Sequence, residues 1–200
     1  MIRRALLALI ALAWLPLAGA SSAQIQDRRA DDMAIGRADA PVTVIEYASV
    51  TCPHCARWHA QVFPEFKRRY VDTGQVRFVF REMPTGPVEV ATAGFMLARC
   101  APEGRYFDVI SRLMRDQSAI LQRPWDGLVA VAADYGVTEA QFEACLGDEA
   151  GAAAFNERVE YAFARGVQST PTFVVNGRTV GTGELTLAQL DAAIQPHLRR

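Results

Sequence analysis

The run Val42-Thr43-Val44-Ile45-Glu46-Tyr47 is followed within a few residues by Cys52-Pro53-His54-Cys55, and that order constrains the fold more than any other stretch of the chain. A row of β-branched residues marks a central strand. Pro53 suits the first position of a helix, where its missing N–H is not needed, and Trp58, Val62, Phe63 and Phe66 recur at helical spacing up to about Tyr70. Pro64 should kink this helix. Gln75 to Arg81 reads as a second strand. Strand, helix and strand in so short a span imply a right-handed crossover and a parallel pair.

Further along, Asn176-Gly177 separates two apolar runs between Phe173 and Val180, a strong hairpin signal, and a terminal helix is expected at about Leu187 to Leu198. Between the two sheet-forming blocks there is no convincing strand. Amphipathic helical patterns occur instead at 87–101, 104–116, 125–135, 138–146 and 149–165, with Gly104, Gly127, Gly136 and Gly147 near their ends. The expected fold class is therefore α/β: residues 41–84 and 167–200 form a mixed central sheet flanked by helices, and 85–166 form an inserted all-helical domain. Residues 24–40, with Arg28, Arg29, Asp31 and Asp32, read as a polar, irregular tail. Trp58, Trp125, Phe95, Phe107, Phe142 and Phe163 are assigned to packing, and His197 to the surface.

At the N-terminus, Arg3 and Arg4 precede an apolar stretch from Ala5 to Leu17 and small residues at Ala18-Gly19-Ala20 and Ser21-Ser22-Ala23. This reads as a signal peptide over 1–23, cleaved after Ala20 or Ala23. Pro16 and the shortness of the run argue against a membrane span of about 20 residues. Losing residues 1–23 removes two arginines and no acid, taking the formal net charge from −1 to −3. That balance excludes nucleic acid as an expected partner.

All four cysteines lie beyond this segment. An even count in an oxidising compartment points to two bridges, and the pairs differ in kind. A bridge from Cys52 to Cys55 closes too small a loop to act as a staple, whereas Cys100 with Cys145 would join two helices of the insertion as a structural disulfide, with a second redox pair or free thiols as the alternatives. With Pro53 as first helical residue, Cys52 is the N-cap. Its sulfur then takes the place of a capping oxygen, within reach of the amides of His54 and Cys55. The helix dipole favours a thiolate there by at most about 2 kcal/mol, and the His54 side chain is a candidate second source of stabilisation. Cys55, one turn in, is the candidate resolving thiol. A rival reading takes Cys52, His54, Cys55 and His59 as metal ligands, but positions 52, 54 and 55 close a tetrahedron awkwardly. His59 is then a partly exposed helix residue, and no metal is expected.

Cys52-Pro53-His54-Cys55 after the strand ending in Glu46-Tyr47, with Ser169-Thr170-Pro171-Thr172-Phe173 far downstream, resembles the DsbA-like branch of the thioredoxin superfamily over nearly the whole chain beyond residue 23. Arg77-Phe78-Val79-Phe80-Arg81-Glu82-Met83-Pro84 is similar too. The resemblance implies a thioredoxin fold and an exported, periplasmic protein-disulfide oxidase that uses its own redox-active disulfide and no other cofactor. It further implies reduced or unfolded exported proteins as substrates and reoxidation by a DsbB-type membrane partner. Pro171 resembles the family's cis-proline at the substrate wall. Thr170 resembles the neighbouring substrate-facing residue, and it leaves oxidase, reductase or isomerase open. Glu46 resembles the family's buried acid that assists proton movement at the second cysteine, with a solvent-facing strand residue as the alternative. Isomerases of the superfamily carry an added dimerisation domain, for which 24–40 leaves no room, and a monomer is expected.

Overall fold

The computed structural model describes residue 25 and residues 28–199. The expected signal peptide, with Arg3, Arg4 and its cleavage sites, lies outside these described residues. Among them no helix is long and apolar enough to cross a membrane.

The strand expected at 42–47 is β2 (Val42–Ala48), and that at 75–81 is β3 (Val76–Glu82). They pair in parallel, with Val44 opposite Phe78 and Glu46 opposite Phe80. The Asn176-Gly177 hairpin joins β4 (Thr172–Val175) to β5 (Arg178–Thr182), with both turn residues at positive φ. β4 runs antiparallel to β2, placing Phe173 opposite Glu46. A further strand, β1 (Met33–Ile35), adds antiparallel to β3 and completes a mixed sheet of order β1-β3-β2-β4-β5. The irregular tail expected at 24–40 thus contains a strand. Three residues are too few for an alternation pattern to show, and β1 is held by pairing and by the buried ion pair of Asp32 with Arg81 at 2.8 Å.

Every residue of β2 is buried, because both faces of the sheet are covered. Successive side chains still point to opposite faces. Ile45 and Tyr47 pack with Val79, Val174, Ala162 and Val167 on one side. Val42, Val44 and Ala48 pack on the other with Trp58, Phe66, Phe78 and Phe173. Glu46 shares the parity of the second set and is carried to the face beneath the first helix.

That helix is α1 (Pro53–Gln61). Instead of a kinked helix to Tyr70, the chain breaks at Val62 into α2 (Phe63–Phe66) and a π-helical turn, Lys67–Val71. Pro64 lacks the N–H that would bond back to Ala60, and its ring crowds that carbonyl. Trp58 is buried against Phe173, with ring centroids 4.7 Å apart, and its Nε1 donates to the Leu185 carbonyl at 2.9 Å.

The insertion contains α3 (Val88–Cys100), α4 (Tyr106–Arg115), α5 (Gln117–Gln122), α6 (Pro124–Asp134), α7 (Glu139–Leu146) and α8 (Glu149–Ala164). α5 was not expected, since six residues hold too little periodicity to be read. α9 (Leu187–Leu198) closes the chain. The insertion does not stand apart from the sheet: Phe95 of α3 and Phe155 of α8 belong to the same core as Phe80. Phe163 and Trp125 depart from the expected burial, at 55% and 40% exposure. Phe163 lies on the solvent side of the last turn of α8, and Trp125 packs one ring face on Phe142 while its Nε1 bonds Glu139. His197 lies at the surface of α9, partly exposed.

Cys100 at the end of α3 is bonded to Cys145 in α7. With 45 residues between the partners, chain entropy assigns the bridge a stabilisation of about 4 kcal/mol. The double variant Cys100→Ser, Cys145→Ser should lower the unfolding free energy extrapolated from urea by an amount near that value, and the midpoint with it, while native alkylation of Cys52 proceeds as before. An unchanged midpoint would mean the bridge is not a brace.

Candidate active site

Two elements far apart in sequence meet at Cys52. The first is the N-terminus of α1, where Cys52 takes the extended N-cap conformation (φ −83°, ψ 119°) and Pro53 the first helical position. The second is the loop before β4, where the Thr170-Pro171 peptide is cis. The Cys52 Sγ lies 3.5 Å from the Thr170 carbonyl oxygen. Cys52 is 6% exposed and Cys55 fully buried. Both are free thiols.

The loop entering α1 is fixed from below and from the side. The Thr51 hydroxyl bonds Ser49 and the Thr85 carbonyl, at 3.0 and 2.9 Å. Gln117, on the unexpected helix α5, donates through Nε2 to the carbonyls of Val50 and Cys52 at 2.8 and 3.1 Å. The cysteine pair is therefore set on a rigid frame to which the insertion contributes.

The two sulfurs have opposite electrostatics. The Cys52 thiol is brought down to about 5, first by a hydrogen bond from the Cys55 thiol, then, against the cost of burial, by the Thr170 side chain and the amides of Cys55 and His54. A carbonyl oxygen accepts from a thiol and does nothing for a thiolate, so the Thr170 hydroxyl, buried without a hydrogen-bond partner among the described residues and thus free to turn to the sulfur, is the group there that favours the anion. The amides help electrostatically although Sγ makes no capping hydrogen bond of regular geometry. Cys55 is pushed strongly upward, first by burial, then by its bond to Cys52 and by the charge of Glu46.

The His54 ring is held by two charged neighbours. Its Nδ1 lies 2.6 Å from Glu184 and 2.7 Å from Arg57, which itself bonds Glu184 at 2.7 Å. The backbone amide of His54 is among the groups that lower the Cys52 pKa. The positive side chain that does feel the Cys52 charge is Arg57, whose own pKa that charge helps to raise. Arg57 and Glu184 were missed in the sequence. Arg57 lies three residues after His54 on one helix face, a readable signal, whereas Glu184 comes from a distant loop and has none.

Glu46 is buried, not solvent-facing, and its Oε2 bonds His59 Nε2 at 2.8 Å. His59, expected to be partly exposed, is 8% exposed, because the turn-and-a-bit from Cys55 puts it over β2. With His54 tied to Glu184 and His59 to Glu46, no group of three or more His, Cys, Asp or Glu side chains among the described residues is arranged to hold a metal ion.

A family profile described as Thioredoxin matches residues 28–196. The chain belongs to the thioredoxin family. It is 31% identical over 169 residues to a Rickettsia bellii protein provisionally named protein-disulfide oxidoreductase, covering 82% of this chain and 63% of that protein, and thus spans somewhat under two thirds of that relative's length. In fold it is similar to Wolbachia pipientis alpha-DsbA1, with a TM-score of 0.75, 24% identity, and 86% and 93% of the two chains covered. It is also similar to oxidised BdbD from Bacillus subtilis, with a TM-score of 0.74, 21% identity, and 84% and 94% covered. The fold is thus DsbA-like, a thioredoxin fold with a helical insertion.

Only a thiolate alkylates, so the rate at Cys52 in the reduced protein should stay level as pH drops from neutral and fall through about pH 5. Thr170→Val removes the hydroxyl with little change of shape and should move that fall to higher pH. An unmoved profile would remove Thr170 from the account. Because the folded pKa lies below that of a free thiol, ~8.5, this thiolate stabilises the reduced fold fully above that value, and the contribution is lost as pH falls through about 5.

Proposed function

We propose that the protein is a thiol-disulfide oxidoreductase working as a dithiol oxidase, which introduces disulfides into exported proteins in the periplasm. The observation that carries this reading is the depressed Cys52 thiol beside a strongly raised, buried Cys55 thiol. Stabilising the reduced pair as a Cys52 thiolate makes the disulfide form the stronger oxidant. Export rests on the leader read from Arg3, Arg4 and the apolar run that follows.

In this scheme a substrate thiolate attacks Cys52, the more accessible sulfur of the oxidised pair, and Cys55 leaves and takes up a proton. A second substrate thiolate then attacks the substrate sulfur of the mixed disulfide. Cys52 departs as a thiolate, and its low pKa makes it a good leaving group. Pro171 and Thr170 form the wall against which the substrate segment lies extended, and Glu46 assists proton movement at Cys55. The enzyme leaves with both cysteines reduced. A DsbB-type membrane oxidase would restore the disulfide.

The reduction potential of the Cys52/Cys55 couple tests this. Equilibration with glutathione should give a value toward the ~−120 mV of DsbA rather than the ~−270 mV of thioredoxin. A thioredoxin-like value would transfer the assignment to a reductase.

A further inference from the structure

When Cys55 leaves the enzyme disulfide it does so as a thiolate in a fully buried position, next to the charge of Glu46. It must be protonated there, and on reoxidation it must give the proton up. Glu46 is itself fully buried, so it cannot exchange protons with water directly. One of its oxygens is on His59 Nε2 at 2.8 Å, and the other has no partner among the described residues. His59 has one ring nitrogen on Glu46, while its Nδ1 is unpartnered among the described residues. His59, its Nδ1 buried, is nonetheless one of the residues that line an open groove of about 570 Å³ between α1 and α4, together with Arg57, Phe63, Ser111, Met114 and Arg115.

We propose that His59 is a proton relay linking this groove to Glu46, and through Glu46 to Cys55. It rests on the exchange reaction proposed above and adds the proton's route. As the substrate sulfur bonds to Cys52, the Cys52–Cys55 bond breaks and its electron pair stays on Cys55. His59 in its imidazolium form gives its Nε2 proton to the Glu46 carboxylate, Glu46 passes a proton on to that sulfur and is a carboxylate again, and water in the groove reprotonates His59. Reoxidation runs the sequence backwards. Imidazole suits the task because one nitrogen can accept as the other donates. The titratable or charged groups facing His59 are Glu46 on β2, Cys55 and Arg57 on α1, and Arg115 on α4. Rings of Trp58, Phe63 and Phe80 close the remaining sides. His59 acts on the sulfur only through Glu46. It positions and supplies the proton.

The test is a single-turnover measurement in which oxidised protein is mixed with an excess of a reduced two-cysteine peptide across the acidic to neutral range. The unaltered protein should react more slowly in D2O. His59→Gln and His59→Ala should react at least ~10-fold more slowly and with an altered pH profile, at or below the usual range for loss of an acid-base group. Added imidazole should restore His59→Ala, whose vacated space opens on the groove, and not His59→Gln. A purely structural Glu46–His59 pair would give slowed variants that imidazole leaves unchanged. That result, variants as fast as the unaltered protein, or no D2O effect in the unaltered protein should the variants fail to fold, would overturn the relay. Failure of the unaltered protein to oxidise the peptide would instead overturn the dithiol-oxidase assignment.

Discussion

The arrangement depends on a single inequality: two sulfurs three residues apart hold their protons with very different strength. Cys52 sits at the mouth of a helix with donors from Cys55, Thr170 and the backbone aimed at it, and Cys55 sits one turn deeper among apolar side chains and beside a carboxylate. The helix dipole alone supplies at most about 2 kcal/mol, too little to take a thiol from its ordinary range to about 5. The deficit is met first by the Cys55 thiol, one turn along the same helix, and then by Thr170, which reaches Cys52 because its loop is brought against α1.

The fold can be understood as the means of holding that juxtaposition. β2 delivers the chain to the start of α1 and, through its two-residue period, carries Glu46 beneath it. β4, paired with β2, brings Pro171 and Thr170 to the other side of the sulfur. Gln117 of the insertion fastens the carbonyls on either side of Thr51, and Trp58 locks α1 to the sheet and to the loop before α9. The disulfide from Cys100 to Cys145 braces the insertion, so the four cysteines divide into a working pair at the start of α1 and a remote bond.

Much of this is legible in the amino-acid sequence because it is local. Pro53 marks the helix start, Asn176-Gly177 marks the hairpin, and long amphipathic runs mark the insertion. What escaped was short or nonlocal. β1 and α5 are too brief to display a period, and the break at Val62 depends on how the chain relieves Pro64. The partners of His54 escaped because Arg57 and Glu184 meet it only in the fold. His59 was treated as a partly exposed residue for a related reason: its partner Glu46 lies on another element, and helical spacing from Cys55 shows the face without showing what covers it.

An ordinary disulfide stabilises the fold that contains it, but a disulfide whose reduction releases a stabilised thiolate does the reverse. Urea unfolding of the oxidised and reduced protein, side by side at neutral pH with the Cys100–Cys145 bond intact in both, therefore tests the central claim most directly. The account predicts that the reduced protein, with its Cys52 thiolate, is the more stable of the two. An oxidised protein more stable than the reduced one would contradict it.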